Sequence, residues 1–530
     1  MDLSFARRTL RWIGLALSIA FAGPAAAEPP LRAGRLGYLQ GTVSFSPAGQ
    51  SDWVQATVNR PLTTGDRLWT DAASRAELQV GGTAIRLGED TDATLLNLDD
   101  RIAQVMLSQG TLMLRVRRMG AGQSIEVDTP NLAFTVRRAG EYRIEVDPND
   151  DATVVLVRSG EAEVFGDGAS YAIRPARGHR FHGTDLSDHD DVAARRVDDL
   201  DRWSRERDRR LAASPSARYV SAEVVGYDDL DAYGHWRSDP DYGNVWTPSR
   251  VSSGWTPFRD GHWTWIDPWG WTWVDDAPWG FAVSHYGRWA HIRGTWGWVP
   301  GPPRERAVYA PALVAFVGGS GFQGAAATGG GAVGWFPLAP REVYRPAYPV
   351  SRGYFDHVNR SNAVIAPTII TNVYNTTIVQ QTTIVNTRRP VAPLRYANQQ
   401  VAGAVVAVPV QSFVQSRPVA PATMRLSRED ALAARVAQVA AIAPEPKSLH
   451  GGARDASARP PARAQAVVAR TAPPPPPVPF AEQQKPLAAR PGRPVDDAER
   501  KRLMPTAAAP SAPRVTVVAA PQGPARAALP

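Results

Sequence analysis

Between residues 34 and 183, apolar and polar residues alternate in short runs that are separated by Gly, Asp and Pro. Clear examples are Glu-Leu-Gln-Val at 77–80, Tyr-Arg-Ile-Glu-Val at 142–146 and Thr-Val-Val-Leu-Val at 153–157. A period of two places one side of a strand on the core and the other side toward solvent. Short strands at intervals of roughly 8–12 residues predict a β sandwich, a β roll or a short solenoid over 34–183.

A second pattern is carried by tryptophan. Twelve of the 17 tryptophans lie between Trp236 and Trp298. The phrase Gly-His-Trp or Gly-Arg-Trp ends at Trp236, Trp263 and Trp289, spacings of 27 and 26 residues, and each copy is followed by further tryptophans. Such a period indicates a repeated supersecondary unit. We therefore expect a Trp-rich module of antiparallel β-hairpins over 217–387, with tryptophan supplying most of its core.

The other segments follow different patterns. Residues 187–213 are dense in Asp and Arg and predict a charged helical connector. Residues 365–386 are rich in β-branched side chains and predict one or two long strands. From residue 388 to 530 the chain is rich in Ala, Pro, Arg and Gln, a composition that predicts a disordered tail.

The N-terminus has the pattern of an export signal. Arginines precede an apolar run from Trp12 to Ala22, and Ala25-Ala26-Ala27 fits a cleavage site. We interpret residues 1–27 as a signal peptide, by the general or the twin-arginine route, and expect a periplasmic protein with no transmembrane segment after cleavage. Secretion or outer-membrane association are the alternatives. The chain has no cysteine, which excludes disulfides, thiol catalysis and cysteine-bound zinc.

The net charge of +8 is unevenly distributed. Residues 388–530 hold 20 Lys and Arg against 8 Asp and Glu, or +12, which leaves 39 against 43, or −4, for the rest. The basic tail predicts electrostatic contact with anionic envelope components. Because we expect export, we predict no nucleic-acid partner.

The repeat offers few residues for chemistry. His235 and His262 occupy a position where the third copy has Arg288, so we expect no metal site. The sequence has no Gly-x-Ser-x-Gly motif, phosphate loop or dinucleotide fingerprint, so we expect no cofactor and no catalytic residues. Acidic residues at predicted turns leave a glycoside hydrolase as the weaker alternative. These are Asp260, Asp267, Asp275 and Asp276.

Two tryptophans are candidates for ligand contact. Trp269 and Trp279 each follow a proline, which favours a place on a loop. An exposed indole there would offer a flat apolar surface to a sugar ring. Both are therefore predicted contact residues if the module binds carbohydrate.

Residues 34–183 resemble the FecR domain, a periplasmic β-rich module of signal transducers. The resemblance is carried by Gly65–Thr70 (Gly-Asp-Arg-Leu-Trp-Thr), Ser74–Leu78, Gly140–Ile144 (Gly-Glu-Tyr-Arg-Ile) and Val157–Val164. It implies a structural or sensing role without catalysis. The chain lacks the internal transmembrane helix and cytoplasmic segment of the signalling members, which argues against direct control of a sigma factor.

The Trp-rich stretch resembles an uncharacterised domain with a Tyr-Gly-x-Trp repeat that often follows FecR domains in bacterial envelope proteins. The matching phrases include 233–236 (Tyr-Gly-His-Trp), 286–289 (Tyr-Gly-Arg-Trp) and 334–340 (Gly-Trp-Phe-Pro-Leu-Ala-Pro). Together the patterns favour a non-enzymatic, exported scaffold or sensing protein that binds an envelope protein or a cell-wall polymer. The alternative is a carbohydrate-binding module for peptidoglycan or surface polysaccharide.

Overall fold

The computed structural model describes residues 28–147, 149–192, 197–318, 331–382, 395–461, 466–504 and 514–519. The predicted signal peptide lies outside these residues. Strands dominate the described chain, which confirms the mainly β class. Among the described residues, no helix is both long and apolar enough to cross a bilayer.

The first β domain consists of two sheets that share one long strand. The first sheet has the order β4-β1-β6-β7-β9-β12-β13-β16-β17, and the second has the order β3-β2-β5-β8-β9-β10-β11-β14-β15. Their strands are β1 Gly34–Gln40, β2 Val43–Ser46, β3 Val54–Gln55, β4 Pro61–Leu62, β5 Arg67–Thr70, β6 Arg75–Val80, β7 Thr83–Leu87, β8 Thr91–Leu98, β9 Ile102–Val116, β10 Ser124–Asp128, β11 Ala133–Val136, β12 Gly140–Asp147, β13 Ala152–Ser159, β14 Ala162–Gly166, β15 Ala169–Ile173, β16 Arg177–His182 and β17 Asp188–Val192.

Strand β9 passes from one sheet to the other at Gly110. Its first half pairs with β8 and β10, and its second half pairs with β7 and β12. Gly110 has φ +89°, and a Cβ there would lie 2.4 Å from the Thr91 hydroxyl. Glycine is needed because only it adopts this backbone without strain and leaves room for Thr91. The apolar side of each strand fills the core between the sheets.

Helix α1 (Asp199–Ala212) covers the outer face of the first sheet. The helical connector predicted over 187–213 is therefore wrong at its start, where Asp188–Val192 is strand β17 and pairs with β16. It packs through charges: Glu77 pairs with Arg86 at 2.7 Å and with Arg207 at 2.6 Å, and Arg86 also pairs with Asp208 at 2.7 Å. Burial alone would raise the pKa of Glu77, but its hydrogen bonds to the two arginines lower it to about 2. Charges on both surfaces explain how a strongly polar helix lies against a sheet.

The Trp-rich domain is a set of hairpins with short helices between them. The strands form the sheets β18-β19-β23-β22 and β20-β21, while β24 and β25 lie in the centre of a third sheet. Its elements are α2 Leu230–Tyr233, β18 Gly234–Asp239, β19 Gly243–Pro248, β20 Gly261–Ile266, β21 Gly270–Asp275, α3 Gly280–His285, β22 Arg288–Ile292, β23 Thr295–Val299, β24 Val314–Gly318, β25 Ala332–Pro337, α4 Arg352–Arg360 and α5 Pro367–Thr382, with 3₁₀ turns at Pro215–Arg218 and Tyr227–Asp229.

The strands predicted at 365–386 are wrong where the structure describes this segment, because Pro367–Thr382 is helix α5. Proline suits the first turn of a helix, where its missing N–H has no partner to lose. Ile370 is fully buried, and the Tyr374 ring lies 5.2 Å from the Phe355 ring of α4. Packing on α4 therefore outweighs the β-propensity of the Ile and Thr residues.

The described parts of the tail are packed, and the prediction of disorder from residue 388 is wrong for them. Strand β26 pairs with β25, and β27 pairs with β24, so the tail completes the third sheet of the Trp-rich domain. The apolar surface that these Val and Ala residues bury belongs to the Trp-rich domain, so the tail's own composition gave no sign of it. The elements are a 3₁₀ turn at Asn398–Gln400, β26 Val406–Pro409, α6 Val410–Val414, α7 Val419–Ala422, α8 Arg428–Ala433, β27 Arg435–Ala437, α9 Pro446–His450, β28 Val467–Ala469, α10 Phe480–Ala489, α11 Asp497–Leu503 and β29 Val515–Val517.

Candidate functional site

The repeated Gly-x-Trp phrase has a direct structural cause. In each of three hairpins the glycine lies under the indole of the tryptophan that stands opposite the phrase's own tryptophan on the neighbouring strand. These partners are Trp246, Trp273 and Trp298. A Cβ would lie 2.4 Å from that ring at Gly234, 2.6 Å at Gly261 and 2.5 Å at Gly287. Only glycine permits this approach, so the repeat encodes the packing of tryptophan on the hairpin backbone.

The tryptophans form a core. Ten of the twelve between 236 and 298 are buried, while Trp236 and Trp255 are half-buried. Trp269 is 1% exposed with its ring 4.8 Å from the Tyr309 ring, and Trp279 is 7% exposed with its ring 5.0 Å from the Trp246 ring. The predicted ligand contact at Trp269 and Trp279 required an exposed indole face. Neither ring offers one, because both are buried.

One histidine and one aspartate of the Trp-rich domain are buried and hydrogen-bonded within the fold. Burial lowers the pKa of His285 to about 3, and its Nδ1 lies 2.8 Å from the Ala310 carbonyl oxygen. Asp275 accepts hydrogen bonds from the Trp273 indole and the Ala277 amide, both at 3.0 Å, while burial raises its pKa to about 7. Within the described ranges, no three His, Asp or Glu side chains gather as a metal site would require.

The first β domain and the Trp-rich domain are joined by a buried polar contact. Arg35 is 1% exposed, pairs with Asp229 at 2.6 Å and donates to the Pro278 carbonyl oxygen at 2.8 Å. Asn59 accepts from Arg35 and donates to the Ala277 carbonyl oxygen at 2.7 Å. Removing Asp229 would leave the buried charge of Arg35 unpaired, at a cost of about 3–5 kcal/mol. The two domains are therefore coupled through this contact.

A polar site that sequence reasoning did not single out lies on the outer face of the second sheet. Glu126 on β10 stands opposite Gln104 on β9, and Asp128 follows two residues along the same face. All three side chains are at most 1% exposed. Arg470 and Thr471 contact this group, and they belong to residues 466–478 of the C-terminal region, which we call the bound segment. The three side chains together are called the Glu126 site.

The Glu126 site holds the bound segment by its main chain. Glu126 Oε1 accepts the N–H groups of Arg470 and Thr471, both at 2.9 Å, and Oε2 accepts the Thr471 hydroxyl at 2.7 Å. Gln104 Nε2 donates to the Thr471 carbonyl oxygen at 2.7 Å. Burial and the neighbouring charge of Glu126 raise the pKa of Asp128 well above its usual range, while Asp128 accepts a hydrogen bond from Gln104 Nε2 at 2.8 Å. The Glu126 carboxylate thus accepts from the N–H groups of an extended chain, and the Gln104 amide donates to its carbonyl oxygen.

Apolar contacts flank these hydrogen bonds. Val467 packs with Met106 and Leu96, and Val468 packs with Phe165. The Val468 amide donates to the Thr129 carbonyl oxygen at 2.8 Å, and the Arg470 guanidinium carbon lies over the Phe165 ring, 4.4 Å from its centre. The side chains of the bound segment therefore add shape-dependent contacts to the hydrogen bonds of its main chain.

The bound segment then enters a cavity of about 290 Å³ between the two domains. Its walls include Arg60 and Asp66 of the first β domain and Trp265 of the Trp-rich domain. Burial lowers the pKa of Arg60 to about 10 and raises that of Asp66 to about 6, each shift being opposed by the charge of the other residue. Pro474–Pro477 also line this cavity, and Pro474, Pro475 and Pro476 are exposed to solvent.

Comparison with known proteins identifies the domains. Residues 66–163 match the family described as FecR protein, and residues 227–342 match a family of unknown function, DUF6600. The chain therefore carries a FecR domain followed by a Trp-rich DUF6600 domain, which confirms the resemblances drawn from the sequence.

Comparison with solved structures adds a weak likeness. Two crystal structures of a protein described as an anti-sigma factor from Parabacteroides distasonis ATCC 8503 share 18% sequence identity with this chain, with a TM-score of 0.22. The likeness covers 24% of this chain and 60% of that chain, less than two thirds of it. A superposition at this score carries no functional assignment. No curated protein matches the chain.

Proposed function

We propose that the protein is a non-enzymatic sensing or scaffold protein of the bacterial envelope, and that its FecR domain binds an extended segment of an envelope protein. The observation that carries this proposal is the Glu126 site, where one buried carboxylate accepts three hydrogen bonds from the bound segment. Hydrogen bonds to a charged group contribute about 1.5–3 kcal/mol each. Two of the three go to main-chain amides, so segments of other sequence fit the same acceptors.

The Trp-rich domain supports this role as a rigid base. Its buried indoles provide the core, and the Arg35–Asp229 contact fixes the FecR domain to it. With Trp269 and Trp279 buried, no observation favours the carbohydrate-binding alternative over the protein-binding one. Asp267 and Asp275 accept hydrogen bonds from the Trp265 and Trp273 indoles, and a hydrolase is not proposed.

A peptide-binding experiment tests the proposal in the full-length chain. Thr471→Pro removes the N–H and the hydroxyl through which Thr471 donates two hydrogen bonds to Glu126. The substitution therefore weakens binding of the chain's own bound segment. A fluorescein-labelled peptide of residues 466–479 is then titrated into this variant, with fluorescence anisotropy as the readout. We expect saturable binding that Glu126→Gln, added to Thr471→Pro, weakens at least tenfold.

The control is Glu161→Gln in the same background, since the Glu161 side chain is 51% exposed and contacts Arg138 rather than the bound segment. This variant is expected to bind the peptide unchanged. Absence of saturable binding to the Thr471→Pro chain would contradict the proposal. Equal binding by the Glu126→Gln and Glu161→Gln variants would contradict it too.

The envelope location rests on the predicted signal peptide and on the FecR domain. We propose that the mature protein begins near Glu28 in the periplasm. N-terminal sequencing of protein recovered from the periplasmic fraction tests this, and the expected first residue is Glu28. Recovery of the uncleaved chain from the cytoplasm alone would overturn the proposed location.

A further inference from the structure

The outer edge of β3, at the end of the second sheet of the FecR domain, is occupied by residues 453–458 of the tail, which we call the edge segment. Val54 of β3 and Asp455 form an antiparallel bridge. Beside this bridge, the Gln55 amide donates to the Arg454 carbonyl oxygen at 2.8 Å. The free edge of a strand carries unpaired N–H and C=O groups, and a segment that pairs with them extends the sheet. The edge segment therefore binds the FecR domain as an added antiparallel strand.

Two further hydrogen bonds hold the edge segment in place. The Ala456 amide donates to the Trp53 carbonyl oxygen at 3.0 Å. The hydroxyl of Ser44, a residue that is 1% exposed, donates to the Ala458 carbonyl oxygen at 2.7 Å. On the side of the edge segment, all the hydrogen-bonding groups belong to the main chain. A segment of other sequence offers the same groups to the β3 edge.

The side chains of the edge segment show which sequences fit. The half-buried residues are Ala453, Ala456 and Ala458, and the exposed ones are Arg454, Asp455 and Ser457. Ala453 packs against the core of the FecR domain. The surface beside β3 thus accepts small side chains, while polar side chains of any size point to solvent.

The edge segment and the bound segment follow one another closely in the sequence. Only seven residues, 459–465, lie between them. Both segments contact the second sheet of the FecR domain, one at β3 and the other at the Glu126 site. A ligand that makes two contacts through a short connection gains affinity, because the second contact forms within the same complex.

We infer that the β3 edge is a second segment-binding site of the FecR domain, of the strand-addition kind. The inference rests on the proposed function and names its partner more closely. This partner is an envelope protein with two extended stretches about seven residues apart. The first stretch has small side chains and pairs with β3, and the second binds at Glu126. The chain's own tail occupies both sites in the structure, so the partner must compete with it.

The experiment uses the full-length chain with Ala456→Pro and Thr471→Pro, which weaken both contacts of its own tail. Three fluorescein-labelled peptides of residues 452–478 are titrated into it, with fluorescence anisotropy as the readout. The first has the natural sequence, the second carries Ala456→Pro and the third carries Ser457→Pro.

The two proline peptides are a matched pair. Arg454, Ala456 and Ala458 face β3 with their main-chain groups, so the Ser457 N–H points away from it. Proline removes the N–H in both peptides, but only at 456 does that N–H donate to β3. One such hydrogen bond is worth a factor of about two to twelve in Kd. Because the ring at 456 also meets β3, we expect Ala456→Pro to weaken binding at least fivefold and Ser457→Pro to leave it unchanged.

Hydrogen exchange of the Gln55 amide reports on the β3 edge itself. In the same chain, the natural peptide should slow this exchange, because the Arg454 carbonyl oxygen accepts from Gln55. A peptide of residues 466–479, which lacks the edge segment, should leave the exchange rate of Gln55 unchanged.

The outcomes separate this inference from the proposed function. Equal binding of the two proline peptides, with both weakened by Glu126→Gln in the chain, would overturn the β3 site and leave the proposed function standing. Unchanged exchange of Gln55 with the natural peptide bound would also overturn the β3 site. Failure of all the peptides to bind would overturn both proposals. Selective weakening of the Ala456→Pro peptide would support the β3 site.

Discussion

Gly261→Ala tests the explanation of the tryptophan repeat. The new Cβ would lie 2.3 Å from the Val274 carbonyl oxygen and 2.6 Å from the Trp273 ring. Trp273 has little freedom to yield, since it is fully buried, contacts Trp263 edge-on at 5.5 Å and donates to Asp275. Overpacking of a core costs about 1–3 kcal/mol, and a clash with backbone favours the upper end of that range. For a domain of this size, about 3 kcal/mol corresponds to a fall in Tm of roughly 6–12 °C.

The assay is thermal unfolding of the full-length chain followed by near-ultraviolet circular dichroism, which reports on the packed tryptophans. The control is Gly353→Ala in the first turn of α4, where a Cβ would meet only the Ser351 hydroxyl at 3.6 Å. That variant is expected to keep or slightly raise the Tm, because alanine favours helix. If Gly261→Ala has the same Tm as the Gly353→Ala control, the explanation of the tryptophan repeat is refuted.

Two further predictions concern the tail and the buried acids. Phe413→Ala should destabilise the Trp-rich domain by about 3–5 kcal/mol. The reason is that Phe413 is 1% exposed and its ring lies 4.4 Å from the Trp271 ring. An unchanged thermal melting curve would mean that the tail does not pack there. Asp275→Asn should flatten the pH dependence of stability. Burial raises the pKa of Asp275 to about 7, whereas the unfolded carboxyl ionises near pH 4, so the native state loses stability as pH rises between these values. Urea midpoints at pH 5, 6 and 7 measure this, and parallel pH profiles for the two chains would contradict it.

The sequence predicted the parts of the fold whose partners are close along the chain. The alternation around 142–146 identified a strand because its apolar side faces the core between two sheets. The Trp hairpins were predictable because Trp263 and Trp273 are cross-strand partners only ten positions apart. In both cases the local pattern already contains the packing surface that it needs.

The errors arose where the packing surface belongs to another element of the fold. Helix α5 has the composition of a strand and is held by α4, and the tail strands β26 and β27 depend on β24 and β25. Trp269 follows a proline as a loop residue would, yet its ring is covered by Tyr309, forty positions away. Proline and turn signals describe local backbone and carry no information about such coverage.

The Glu126 site could be predicted only in part. Ser-Ile-Glu-Val-Asp at 124–128 alternates, so the sequence places Glu126 and Asp128 on the same side of a strand. The face of a β-sheet that carries acidic side chains would ordinarily face water. The amides that bind Glu126 come from Arg470 and Thr471, 344 and 345 positions later. No local pattern connects residues at that separation.

The most direct test of the central claim is amide hydrogen exchange of Arg470 and Thr471 in the full-length protein. Both N–H groups donate to Glu126 Oε1 at 2.9 Å, so they should exchange slowly in the wild-type chain. They should exchange faster in Glu126→Gln, and at the wild-type rate in Glu161→Gln. Exchange of both amides in the wild-type chain at the rate of an unstructured peptide would contradict the claim that the FecR domain binds this segment.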